Sequence, residues 1–229
     1  MDLRELDLVD PKDHWYYKSK LIPVVGSIIQ YKPDPHQVID VGAGSGYFSH
    51  EIIKKFPNCK AFCVDLNYSS EELQRNGNVE FVRSLDCQLG DVLIFMDVLE
   101  HVDDARSLLS GYLKNALKGS LVIVTVPAFM TLWSNHDEFL GHKRRYTKRE
   151  IRDLLEDLNI EVLNCRYLFS VILPLVWIKR RLFRSTNIKS DMRQNGAILN
   201  AILTVVLGVE HRITRNPLGG LSVFAVGRI

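Results

Sequence analysis

The chain has 229 residues, 46% of them hydrophobic and 24% charged, with 29 Lys and Arg against 27 Asp and Glu. That length and mix suit one globular domain with a real core, and exclude a disordered or fibrous chain. The net charge of +2 gives no argument for nucleic acid, yet it is unevenly spread: residues 1–165 hold 19 basic and 25 acidic side chains, residues 166–229 hold 10 and 2.

The opening stretch MDLRELDLVDPKD is acidic and lacks the apolar segment of a secretory signal. Residues 1–35 read as a helical cap that includes the aromatic and basic run HWYYKSK. HQVIDVG is a short apolar run ended by glycine, and YFSHEIIKKF follows it with helical spacing. KAFCVDLN, VEFVRS and DVLIFMDV are each the length of a buried strand. ARSLLSGYLKNALKG predicts a helix with a basic, glycine-ended C-terminus. SLVIVTVPA is the richest β run and closes on Pro127. In TKREIRDLLEDLN, Thr147 and Glu150 have the spacing of a capping box. IEVLNCRYLFS and LSVFAVGRI predict the last two strands.

Seven strands alternating with helices predict an α/β fold: a doubly wound, seven-stranded, mostly parallel sheet with helices on both faces. Residues 171–220 break that rhythm as a helical insertion before the final strand, 221–229. The whole chain, 1–229, then reads as a single domain around a core at 36–170. Cys59, Cys63, Cys87 and Cys165 show neither a CxxC pair nor zinc spacing, which points to small core residues in a reducing compartment. No apolar run reaches the roughly 20 residues of a membrane span, so a cytoplasmic protein is expected.

The loop after the first strand, VIDVGAGSGYFS, places Asp40, Gly42, Gly44 and Gly46 between a strand and a helix. Glycines there let the backbone turn sharply and approach a ligand. A dinucleotide fingerprint GxGxxG would need glycine where Tyr47 stands, which disfavours a nucleotide-dependent oxidoreductase. The spacing resembles the first motif of the class I S-adenosylmethionine-dependent methyltransferases. DVLIFMDVLEHVDD is similar to that family's fourth motif. HWYYKSK and LWSNHDEFLGHKRRYTKREI resemble segments of one bacterial-type branch that acts on small molecules or lipid intermediates. The similarity of pattern spans about residues 13 to 170, and the last strand resembles the family's antiparallel seventh.

The resemblance implies a Rossmann-like sheet with an antiparallel last strand, and S-adenosylmethionine as cofactor with S-adenosylhomocysteine as product. Gly42, Ala43, Gly44 and Gly46, with Asp40 before them, would cradle the methionine part. Asp65 and Leu66 would meet the ribose, Asp86 the adenine, and Asp97 and Val98 would line the cofactor. All follow strand ends, where open α/β sheets bind ligands. The implied reaction moves a methyl group to an O, N or C atom of a small-molecule or lipid-linked acceptor. A binding module of the same fold, holding the cofactor or a partner without transfer, is the alternative.

HDEFLGHKRRY, residues 136–146, is read against three chemistries. A metal site on His136, Asp137 and His142 lacks a fourth ligand, and methyl transfer needs none, so no metal is expected. A nucleic-acid patch on Lys143, Arg144, Arg145, Lys148 and Arg149 has only Tyr146 as a stacking ring within an acidic half, so no nucleic-acid partner is expected. The third reading is a substrate-facing loop in which His142 or His136, with Asp137, takes the acceptor's proton. Tyr146 joins these as a candidate, while Arg145 and Tyr146 also suit a role bracing the loop. His101, in LEHVDD, is a further candidate base, and equally suits a first-turn helix residue packing under the cofactor.

LFSVILPLVWIKRRLFR and AILNAILTVVLGVEHRITR each join an apolar run to a basic cluster. In the second, Asn200, Thr204 and Gly208 recur every four residues as a narrow polar stripe on an apolar helix. Such a region serves as a lid, as a peripheral contact with the inner membrane face through residues 168–215, or as a dimer interface; its sequence does not set the oligomeric state.

Overall fold

The computed structural model describes residues 9–85, 90–114, 116–182, 196–213 and 218–229. The strands β1 (Gln37–Val41), β2 (Lys60–Val64), β3 (Arg75–Asn76), β4 (Val79–Val82), β5 (Val92–Met96), β6 (Leu121–Pro127), β7 (Glu161–Leu168) and β8 (Ser222–Arg228) form one sheet in the order β3-β4-β2-β1-β5-β6-β8-β7. The five central strands pair in parallel, and β8 runs antiparallel between β6 and β7. The seven expected strands are present; the eighth, β3, is a two-residue antiparallel addition to β4.

The near-continuous apolar strands follow from burial on both faces. Val38, Ile94 and Ile123 point into one apolar cluster with Val24 and Ile28 of α1 (Trp15–Tyr31), Phe48 and Ile52 of α2 (Tyr47–Lys55), and Leu207. Ile39, Leu93 and Val122, one residue along each strand, point into the other. There they meet Leu109 of α3 (Ala105–Leu113) and Ile151 and Leu155. A period-two strand between two helical layers leaves no polar face.

The strand order reverses at β1: β2 and β4 lie to one side, β5 and β6 to the other. This switch leaves a crevice at the carboxyl ends of β1 and β5. The loops carrying Gly42 and Asp97 border it.

Two helices differ from the reading of the sequence. Part of HDEFLGHKRRY is a short helix, α4 (Asn135–Leu140), because Asp137 Oδ2 accepts the backbone N–H of Ser134 at 2.8 Å and Gly141, at φ +73°, stops it. α3 stops at Leu113, before Gly119, which instead takes φ +86° and donates its N–H to Ile229 O at 2.8 Å. The capping box of α5 (Lys148–Glu156) is present: Glu150 N donates to Thr147 Oγ1 at 3.2 Å and Thr147 N to Glu150 Oε2 at 2.7 Å.

Before the last strand lie α6 (Leu173–Leu182) and α7 (Ala197–Ile213). α7 packs on α1 through its polar stripe: the buried Asn200 accepts the N–H of Trp15 at 3.4 Å, and a Cβ at Gly208 would meet Ile22 at 3.2 Å. Glu210 accepts the N–H groups of Ser170 at 2.7 Å and Val171 at 3.3 Å. No helix of the described residues is long and apolar enough to cross a membrane.

Candidate active site

The glycine loop turns back over β2, with Gly42 N donating to Val64 O at 2.7 Å. Gly42, Gly44 and Gly46 all have positive φ, between +54° and +68°. At Gly42 a Cβ would lie 2.7 Å from Val98 Cγ2, and at Gly46 one would lie 2.8 Å from Phe81 Cζ. Only glycine fits both the backbone and the space there. Asp40, beneath the loop, accepts Ser49 Oγ at 2.8 Å; burial pushes its carboxyl up to about 6, with the Ser49 hydrogen bond working against the rise.

Asp65, at the end of β2, ties this loop in place. Its Oδ2 accepts Gly44 N at 3.2 Å, and its Oδ1 accepts Asn67 N at 3.0 Å and Asn67 Nδ2 at 3.2 Å. A cavity of about 490 Å³ opens beside it, lined by Gly42, Asp65, Leu66, Asp97, Val98 and Tyr112 among others. Of the residues expected to hold a cofactor, Gly42, Asp65, Leu66, Asp97 and Val98 lie in this wall. Asp40 supports the glycine turn from beneath, and Asp86 lies outside the described residues.

Asp97 adopts φ +56° where β5 ends, and Phe129 and Phe169 take φ +58° and +64° just beyond β6 and β7. Three non-glycine residues with positive φ thus lie along the carboxyl edge of β5, β6 and β7, a conformation that costs of order 1–3 kcal/mol each. Asp97 is held there by Lys20 of α1, which is fully buried and donates to both carboxylate oxygens, at 2.6 Å to Oδ1. Tyr16 Oη, at 3.3 Å from Oδ2, and Thr125 Oγ1, at 3.1 Å from Oδ1, donate as well. Burial works to raise the Asp97 carboxyl, but the adjacent ammonium outweighs it and holds the group below the usual carboxylate range.

A second cavity, about 280 Å³, adjoins the first; Asp97, His101 and Leu140 line both. Its wall includes Glu100, His136, His142 and Arg145 on one side, and Ile172, Val176, Lys179 and Arg180 from α6 and the turn before it on the other. His136 and His142 thus reach a cavity together, with ring centroids 6.4 Å apart. Asp137 stands behind them: fully buried, it accepts Arg145 Nε at 2.7 Å and Nη2 at 2.9 Å, and meets His142 Nδ1 at 2.9 Å. Burial alone would raise its carboxyl, yet the bonds to His142 and Arg145 hold it far below the carboxylate range. Tyr146 lies outside the wall of either cavity; its hydroxyl donates to Leu99 O at 2.9 Å, and burial, offset in part by Arg144, pushes it up to about 12.

Two residues of this site escaped the sequence reading. Lys20 is in HWYYKSK, an aromatic and basic run in which no single lysine stood out, and Glu100 adjoins His101 in LEHVDD. Glu100 is fully buried and its carboxyl sits well above the usual range, through burial first and the charge of Asp97 second.

A family profile described as a methyltransferase domain matches residues 14–164. A search of curated proteins finds no match. Among solved structures, the chain is similar to the plantazolicin methyltransferase BpumL in complex with a monoazolic desmethylPZN analog and SAH, at 15% identity and a TM-score of 0.57, over 93% of this chain and 82% of that one. It is similar to a SAM-dependent methyltransferase from Archaeoglobus fulgidus, at 18% identity and 0.56, over 93% and 94%. It is also similar to coclaurine N-methyltransferase bound to N-methylheliamine and SAH, at 16% identity and 0.57, over 91% and 72%. At such identities the likeness is one of fold.

Proposed function

The chain belongs to the methyltransferase domain family of class I S-adenosylmethionine-dependent enzymes, and we propose that it methylates an acceptor that joins an anionic group to an apolar, lipid-like body. The observation that carries this reading is the pair of adjoining cavities, which share Asp97, His101 and Leu140. The larger cavity suits the cofactor: its rim at Gly42 has no room for a Cβ, and Asp65 and Asn67 offer polar groups beside the exposed Leu66. S-adenosylmethionine, when bound, supplies an electrophilic methyl group on a sulfonium.

Gly42 brings backbone close to the ligand, Asp65 accepts ribose hydroxyls, and Val98 and Tyr112 offer apolar walls. Asp97 stays ionised beside Lys20 at the junction, and the paired ammonium fixes its carboxylate there. In the second cavity Lys179 and Arg180 attract an anionic acceptor, and Ile172 and Val176 hold its apolar part. His142, oriented through Nδ1 by Asp137, presents Nε2 to the acceptor's hydroxyl or amine, with His136 beside it. Tyr146 and Arg145 set the loop geometry, and orientation of the acceptor lone pair supplies most of the rate.

Calorimetric titration with S-adenosylmethionine, S-adenosylhomocysteine and NADH tests the cofactor side. We expect binding in the micromolar range, about −8 kcal/mol, for the first two and none for NADH. NADH binding, or silence from all three on folded protein, sinks the reading. If cofactor binding is tight but labelled methyl never reaches extracted lipids or small anionic molecules, a non-catalytic binding module replaces the enzyme.

The lipid-like acceptor draws support from α7, which turns its polar stripe inward and leaves Ile198, Ile202, Val205 and Val209 exposed. On α6, Leu175, Trp177 and Ile178 are exposed on the helix that also walls the acceptor cavity. Apolar area beside basic charge is what an anionic membrane surface selects. We expect the protein to float with vesicles containing phosphatidylglycerol and to be released by about 0.5 M salt. An Ile202→Asp, Val205→Asp variant should reduce flotation about tenfold. Equal flotation with neutral vesicles, or none with either, removes the membrane contact.

A further inference from the structure

We propose that Glu100, His101 and His142 form a site for a divalent first-row metal ion at the floor of the acceptor cavity, with its open positions facing the acceptor. One donor atom from each of the three side chains lies within 4.8 Å of the others. Metal–ligand bonds of about 2.1 Å would set donors about 3.4 Å apart, so a shift of each donor atom by under roughly an ångström closes the site.

Glu100 supplies the first reason. It is fully buried, and neither of its carboxylate oxygens has a hydrogen-bond partner. A buried carboxyl group is otherwise hydrogen-bonded, paired, neutralised by a proton or bound to a metal. Lys20, the nearby buried cation, donates to Asp97 through both oxygens. Glu100 is one of the residues that line the acceptor cavity.

His142 supplies the second. With Nδ1 bonded to Asp137, the ring is fixed so that Nε2 is the donor aimed at Glu100, 4.0 Å from Oε1, and Nε2 has no hydrogen-bond partner. A carboxylate behind an imidazole is how metal-binding histidines are oriented. Asp137 is itself clamped by Arg145 and the Ser134 N–H, so it acts from behind and is not a ligand. The ring of His101 stands edge-on to His142, with centroids 4.8 Å apart.

The backbone holds the two segments together without help from an ion. Lys143 N donates to Glu100 O at 2.8 Å, and Tyr146 Oη to Leu99 O at 2.9 Å. The three donors therefore come from a 3-10 turn after β5 (Leu99–His101) and from the residue after Gly141, two pieces joined across the cavity floor. Two imidazoles and one carboxylate suit Zn²⁺, Mn²⁺ or Fe²⁺ better than Mg²⁺ or Ca²⁺, which prefer all-oxygen shells. Three protein ligands with an open position is the pattern of sites that take a substrate oxygen. The ion's task rests on the acceptor-cavity reading: it would hold the acceptor oxygen that otherwise meets His142 Nε2 directly. The ion site itself stands on the side chains alone.

The test is calorimetric titration of chelator-treated protein with Zn²⁺ and Mn²⁺, without cofactor, with bound metal counted by elemental analysis. We expect one ion per chain for the wild type, and affinity at least about 30-fold weaker in both Glu100→Gln and His142→Ala. Glu100→Gln breaks no hydrogen bond made by the carboxylate, so thermal unfolding should show it folded. Failure to bind either metal, or binding unchanged by both substitutions, overturns the site and leaves Glu100 as a protonated acid beside His142. S-adenosylmethionine binding measured on the same samples separates the two claims: cofactor without metal overturns only the ion site, and metal without cofactor overturns only the methyltransferase reading.

Discussion

Asp65→Ala is expected to weaken S-adenosylmethionine binding about a hundredfold. A carboxylate that accepts hydroxyl donors loses about 1.5–3 kcal/mol per charge-assisted bond, and 1.4 kcal/mol is tenfold in Kd. An ionised carboxylate offers about four acceptor positions. Gly44 N, Asn67 N and Asn67 Nδ2 occupy three in the absence of ligand. Ribose therefore takes the free position and displaces one existing donor, most readily the Asn67 side chain. The net loss on truncation is then about 2–3 kcal/mol instead of two full bonds.

The same bonds make Asp65 a brace for the glycine loop, so alanine costs some stability too. Asp65→Asn separates the roles. It keeps the shape and one acceptor oxygen but turns an NH2 toward either Gly44 N or Asn67 N, so it should lower affinity about tenfold while lowering the unfolding midpoint less than alanine does. Calorimetry on both variants, with circular dichroism to confirm folding, checks this. Near-native affinity in folded Asp65→Ala means the cofactor lies elsewhere.

The sheet was legible because parallel strands buried on both faces leave runs such as VLIFM and LVIVTVP without a polar position. The glycine loop was legible for a different reason: positive φ and close approach exclude every other residue at Gly42 and Gly46. What stayed hidden depends on contacts across the chain. Lys20 meets Asp97 across 77 positions, and no local period reports such a pairing. Asp137 looked like a partner for a catalytic histidine because both stand in one short stretch. Only the turn at Gly141 shows that it faces Arg145 and His142 together from behind. The stripe of Asn200, Thr204 and Gly208 was visible as a period of four, but periodicity gives the width of a stripe and not its direction. Here it faces α1, so the apolar residues lie outside.

The Lys20–Asp97 pair carries the second large effect. Lys20→Met is expected to destabilise the fold by about 3–5 kcal/mol, because removing one partner leaves a largely buried charge without compensation. For a chain of this size that lowers the melting temperature by roughly 6–20 °C. Asp97 would keep Thr125 Oγ1 and Tyr16 Oη as donors, which is too little for a carboxylate whose side chain is only 20% exposed. Adding Asp97→Asn removes the orphaned charge and should recover more than half of the loss.

The sign of the pH dependence follows from the carboxyl. In the wild type its folded pKa lies below the unfolded value, so its stabilisation is present above that value and is lost as pH falls through the folded pKa. Without the ammonium, burial would raise it instead, which destabilises the ionised form and is relieved as pH falls. The gap between wild type and Lys20→Met should therefore be widest at neutral pH and narrow toward pH ~4. Urea unfolding of both proteins across that range measures it. A gap under about 1 kcal/mol at neutral pH, unchanged on acidification, means the ammonium does not hold Asp97 ionised between the two cavities.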